Sequence, residues 1–180
     1  MDDVSVVALQ IDREPRSAVV VVARCHLGLP TVIAVPPHLD DGTPFPTRYW
    51  LTCPLAGIRV SRLESGGAVA EWDRRVADEP EVAAAFETSQ TRYAAERDGL
   101  VSASASHRPV GGVGGSRGGV KCLHAHYADH AAGNENLIGA DTGARIEPLD
   151  CASPCVVATT EGIVIRNPEW REPDREGGRR

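Results

Sequence analysis

The chain has 180 residues, with 19 Lys and Arg against 25 Asp and Glu for a net charge of −6, and only two Phe, three Tyr and three Trp. A chain this long buries roughly 70% of its unfolded surface and needs no disulfide or metal staple to fold. The acidic balance argues against nucleic acid as a partner, which calls for a basic stripe, and so few aromatics make a poor stacking platform for single strands.

The N-terminus, "MDDVSVVALQ", is acidic and lacks the basic region and cleavage pattern of a signal peptide. The longest clean apolar run, "AVVVVA" at 18–23, is too short to cross a bilayer. A soluble, cytoplasmic protein with no membrane partner is expected. Residues 18–36 read as a hairpin: β-branched "AVVVVAR", a turn-like "CHLGLP", then "TVIAVPP". The continuous valine run suggests burial on both faces. "HLDDGTPFPTRYW" is rich in turn formers and reads as an ordered loop. Its His38, Asp40 and Asp41 suit a solvated turn better than a site.

"LTCPLAGIRVSRLESGG" predicts a strand end entering a helix. Thr52 or Cys53 caps it, Pro54 takes the first helical position and Gly66 ends it. "AVAEWDRRVADE" gives a second helix. A third opens at "DEPEV", with Asp78 as cap, and presents Val82, Phe86, Tyr93 and Arg97 on one face. Residues 102–119, rich in Ser and Gly, form an irregular loop. A fourth helix covers 120–132 and is closed by Gly133. "CVVATTEGIVIRNP" at 155–168 reads as a late hairpin. The expected architecture is a single α+β domain over residues 1–166, a small β-sheet and hairpins packed with about four helices. A disordered charged tail is expected over 167–180.

Five cysteines stand at 25, 53, 122, 151 and 155, with no C-x-x-C pair. Disulfides are not expected in a reducing cytosol. Cys53 and Cys122 fall at predicted helix N-termini, where free amides favour a thiolate. Cys25 ends a predicted strand and Cys155 begins one, so four cysteines at element ends can converge as metal ligands. On a helical wheel Cys122, His126 and Asp129 share a side, with Cys122 and His126 as an i, i+4 pair, while His124 sits on the edge of the apolar stripe. Three further readings stand beside metal ligation. A scattered cysteine is often a small buried hydrophobe. Cys122 can serve as a nucleophile with His126 or His124 as its base. The glycine loop before the helix, with Gly115, Arg117, Gly118, Gly119 and Lys121, can turn amides toward an anion or be simply mobile.

"RCHLGLPTV", "DGTPFPTRYWLTCP", "RLESGG" and "GVKCLHAHYA" together resemble the bacterial family catalogued as domain of unknown function 501, over about residues 10–140. The resemblance implies family cysteines at Cys25, Cys53, Cys122 and Cys155, with Cys151 matching none. His124 matches the family histidine and His126 matches only some members; "NENLIG" departs from the usual "NPxG". The resemblance implies no assigned reaction. Family genes that neighbour those for enolase, a septum-formation initiator and an exopolyphosphatase-like enzyme hint at phosphate metabolism or envelope growth. The expectation is a metal-binding protein with a cysteine-ligated iron–sulfur cluster or zinc, iron–sulfur slightly preferred for want of paired knuckles. An enzyme acting on a small anionic or phosphorylated molecule is the first expectation. A non-enzymatic zinc-stabilised interaction module is the second and a cysteine-nucleophile enzyme the third.

Overall fold

In the computed structural model, residues 1–173 are described. Strands β1 (Val20–Arg24) and β2 (Pro30–Ala34) pair antiparallel, and β3 (Tyr49–Leu51) pairs antiparallel with the other side of β2. The tight turn between β1 and β2 is closed by the Gly28 amide on the Cys25 carbonyl and the Cys25 amide on the Leu29 carbonyl. The expected hairpin is therefore present, but burial on both faces belongs to β2 and not to the valine run. Every residue of β2 is buried, whereas β1 alternates between exposed and half-buried as an edge strand. A central strand has neighbours on both sides, and the edge strand leaves one row of residues wet.

Helix α2 (Pro54–Ser65) begins with Cys53 as its cap residue and Pro54 at its first position, and closes at Gly66, as its sequence predicts. A proline costs little there because the first amides of a helix have no internal partner. Helices α3 (Ala68–Asp78) and α4 (Pro80–Gly99) follow, separated by Glu79 alone. The cap of α4 is Glu79, one residue beyond the expected Asp78, which is the last residue of α3 instead. Val82, Phe86, Tyr93 and Arg97 of α4 are buried as one face. The Arg97 guanidinium sits 1% exposed and donates to the Gly111 carbonyl, satisfying a loop backbone group that packing would otherwise strand.

Helix α5 (Leu123–Ala131) lies at the centre of the fold, against β3, α2 and α6 (Leu137–Ile146). Leu123, Tyr127, Ile138 and Ile146 join Leu55, Val60 and Trp72 in the main core. Each such side chain contributes roughly 1.5–3 kcal/mol on burial. Helix α6 and helix α1 (Asp3–Ile11) are not foreseen by the sequence reading, and both have side-chain caps. Asp2 accepts from the Ser5 amide, and Asn136 accepts from the Gly139 amide. The late hairpin is present as β4 (Val156–Ala158) and β5 (Val164–Arg166), and α1 packs on it. Among the described residues the result is one α+β domain of six α-helices, a three-stranded antiparallel sheet and a hairpin.

Residues 167–173, expected in a disordered tail, fold back onto the domain. The Asn167 amide donates to the Cys155 carbonyl, Trp170 packs on the main core and Glu172 pairs with Arg62. The rest of the expected tail, residues 174–180, lies outside the described residues. Among the described residues no helix is long and apolar enough to cross a membrane.

Candidate metal centre

Cys122 has extended backbone, with φ of −155°, and stands just outside α5 as its cap residue. It therefore does not occupy the helical wheel on which an i, i+4 pairing with His126 rests. Its sulfur instead meets His124, the second residue of the helix, and Glu64 in the last turn of α2. One ligand atom from each of Glu64, Cys122 and His124 lies within 4.8 Å of the others, and all three residues are half-buried. Among the described residues these are the carboxylate, sulfur and imidazole groups gathered closely enough to share one ion.

Glu64 is positioned by the backbone it caps. Its Oε1 accepts the Leu123 amide at 2.6 Å, satisfying a free donor at the start of α5 that Cys122 leaves open. The same oxygen lies 3.2 Å from Nδ1 of His124. The opposite ring nitrogen, Nε2, lies 3.2 Å from the Gly57 carbonyl and 3.2 Å from Ser61 Oγ. Burial opposes the charged imidazolium, but the Cys122 sulfur and the Glu64 carboxylate outweigh it and push His124 up to about 9. Residues of α2 thus hold His124 from both sides, with Gly57 and Glu64 about two turns of helix apart.

His126 takes a different part. It is fully buried, stacks on Phe86 and bonds Asn136 Oδ1 at 3.0 Å through Nδ1. The Asn136 amide is oriented by its other contacts, since Nδ2 donates to Asp129 and Oδ1 accepts the Gly139 amide. An acceptor at Oδ1 requires a proton on Nδ1 of His126, which fixes the neutral tautomer. Burial lowers its pKa, against the favourable influence of Asn136 and Asp129. Asp129 is itself buried and paired with Arg92 of α4, and it also accepts from Asn134. This network ties α4, α5 and the cap of α6 together.

The glycine loop is closed on itself and on its neighbours. The amides of Gly112, Gly115, Ser116 and Gly118 bond within the loop, Val113 donates to Gln90 and Val120 to Asp73. Lys121 Nζ reaches back 2.8 Å to the Gly114 carbonyl, while Arg117, Gly118 and Gly119 are exposed. Gly115 and Gly119 both take positive φ, and a Cβ on either would meet Pro46 or Asp73.

Of the four cysteines expected together, Cys25, Cys53 and Cys155 line one pocket, and Cys122 lies with Glu64 and His124 instead. Cys151, which the family likeness passes over, completes the pocket. Glu64 carries no local signal of its place in the site. Its motif, "RLESGG", was in plain view as part of the likeness, but nothing local marks that carboxylate as facing a residue about 60 positions on.

No curated protein and no solved structure matches the chain. A family profile matches residues 21–143, so that α2, Glu64, Cys122 and His124 all fall within it, and the chain belongs to the family described as "Protein of unknown function (DUF501)".

Proposed function

We propose that the protein binds zinc through Glu64, Cys122 and His124, and that it is a metal-dependent enzyme acting on a small anionic substrate. The observation that carries the reading is the division of labour on the His124 ring. Nε2 faces a backbone carbonyl and Nδ1 faces a carboxylate. A metal-bound histidine donates its other N–H to just such a carbonyl, which fixes the tautomer and aims the free lone pair at the ion. One sulfur, one nitrogen and one oxygen are a donor set suited to zinc. Three protein ligands leave a fourth position, the pattern of catalytic rather than structural zinc, where the ion supplies an activated water or polarises a bound oxygen. A groove lined by Gly57, Ser61 and Arg62 adjoins His124, and an anionic substrate there would compete with Glu172 for the Arg62 guanidinium.

Zinc titration by calorimetry, with metal analysis of the purified protein, tests this. One ion per chain, lost in His124→Ala, is expected. A folded protein that takes up no zinc at micromolar concentration overturns the reading and leaves the thiol alternative. That alternative has its own support, because the Cys122 sulfur lies within 4.8 Å of a ring nitrogen of His124, a candidate base beside a candidate nucleophile. Fast alkylation of Cys122 at neutral pH, abolished by His124→Ala in metal-free protein, would favour it.

A further inference from the structure

Four of the five cysteines surround one pocket that takes no part in the zinc reading. Cys25 follows β1, Cys53 caps α2, and Cys151 and Cys155 come from the loop before β4. The pocket is otherwise lined by leucines, prolines, Gln10 and Trp170. Cys53 is buried and the other three are half-buried, so one side of the group is open to an incoming ligand.

The surroundings of the sulfurs are not those of ordinary core cysteines. Trp170 Nε1 points at Cys151 Sγ at 3.5 Å, and Gln10 Nε2 points at Cys155 Sγ at 3.6 Å. A neutral thiol is a weak acceptor and needs no such donors, whereas a metal thiolate does. Gln10 makes the point most clearly. It is 9% exposed, and its Oε1 has no partner among the described residues, a costly arrangement for a buried amide. What that position secures is an N–H aimed at sulfur and at the Pro30 carbonyl.

We propose that Cys25, Cys53, Cys151 and Cys155 ligate an iron–sulfur cluster. A single tetrahedral zinc with Zn–S bonds of about 2.3 Å would draw its sulfurs to within about 3.8 Å of one another. Among the described residues no three of these sulfurs lie within 4.8 Å of one another. A four-iron cluster holds its thiolates farther apart, each on its own iron. The site is separate from Glu64, Cys122 and His124, and stands or falls independently of them.

The test is ligand exchange under argon from a synthetic four-iron, four-sulfide cluster capped by small thiolates. In each exchange an iron–thiolate bond to the cap breaks, an Fe–Sγ bond forms, and the cysteine proton leaves on the displaced thiol, with no change in electron count. The full-length chain is expected to retain iron and acid-labile sulfide in equal amounts after gel filtration, with visible charge-transfer absorption. Cys151→Ser and Cys25→Ser should lose that retention while keeping a native far-ultraviolet spectrum, and Cys122→Ser should keep it. Trp170→Phe should retain the cluster and lower its reduction potential, because an N–H donor to sulfur favours the reduced, more negative state. No uptake by the native chain, uptake unaffected by Cys151→Ser, or zinc bound by these four cysteines in preference to the cluster would each overturn the proposal.

Discussion

Nδ1 of His124 lies 3.2 Å from Oε1 of Glu64, while Nε2 of the same ring lies 3.2 Å from the Gly57 carbonyl. A neutral imidazole has one N–H and cannot satisfy two acceptors, so one lone pair would face an oxygen. Protonation resolves this in the metal-free protein, and an ion at Nδ1 resolves it by taking the proton's place. His124→Ala and Cys122→Ala should therefore weaken zinc binding by more than the roughly 10–100-fold that loss of an outer hydrogen-bond partner costs. Ser61→Ala, which removes only a contact behind the ring, should stay within that range. Glu64→Gln separates ligation from folding, since the amide oxygen can still accept the Leu123 N–H. Unchanged zinc affinity in Glu64→Gln would remove Glu64 from the ligand set.

The approach of α6 to α5 rests on Gly139. A Cβ there would collide with the His126 carbonyl and sit 2.6 Å from His130 Cβ. Gly139→Ala should destabilise the fold by about 1–3 kcal/mol, the usual cost of overpacking a filled interface. The control is Gly57→Ala on α2, where an added Cβ meets nothing within 4 Å. It should be neutral or stabilising by up to about 1 kcal/mol through helix propensity. Urea unfolding of both variants checks the pair, and equal midpoints would contradict the close-packing account.

These residues also show what the sequence could and could not disclose. The start of α2 was legible because Cys53, Pro54 and Gly66 act locally, through backbone geometry. Helix α6 was not, because Gly139 and Gly143 argue against a helix until α5 is seen lying against them. That thiols at element ends line one pocket was legible in kind. Its membership was not. Cys122 and Cys151 exchange places relative to the expectation, a matter decided by which loop folds over the start of α2. Glu64 shares its site with groups about 60 residues away, a distance that no local pattern spans.

Arg59 is the fastening for that loop. Its guanidinium, 4% exposed with its residue, donates to the carbonyls of Ile146 and Pro148 at 2.7 and 2.5 Å and pairs with Asp150 at 3.3 Å. These contacts pin the end of α6 and the segment that leads into Cys151. Arg59→Ala leaves two carbonyls without their donor, and a loss on the order of 3 kcal/mol is expected. Arg59→Lys should recover part of it, because an ammonium reaches one or two of these acceptors but lacks the planar fork. Chemical denaturation gives the stability. Faster alkylation of Cys151 in Arg59→Ala, followed by mass spectrometry, would report the loosened loop; an unchanged rate would show that the loop is held by other contacts.

The two histidines of α5 act on stability in separate pH windows. His124 is raised from 6.5 to about 9 by Cys122 and Glu64 against the cost of burial, so the folded chain holds a proton there that the unfolded chain releases. Its contribution is complete below 6.5 and is lost as pH rises through about 9. His126 is lowered from 6.5 by burial, with Asn136 and Asp129 opposing. Above 6.5 both states are neutral at that ring and it contributes no slope. Below 6.5 the unfolded chain takes a proton that the folded one refuses, so stability falls as the pH drops further. Metal-free protein in chelator should thus be most stable near pH 6.5, with urea midpoints declining on both sides between about pH 5 and pH 9. His124→Ala should flatten the alkaline limb and leave the acid limb in place. Ring resonances should show His126 in its Nδ1–H form throughout the range above 6.5. A midpoint that keeps rising from 6.5 to 9 would mean that His124 is not held as imidazolium between Glu64 and Gly57.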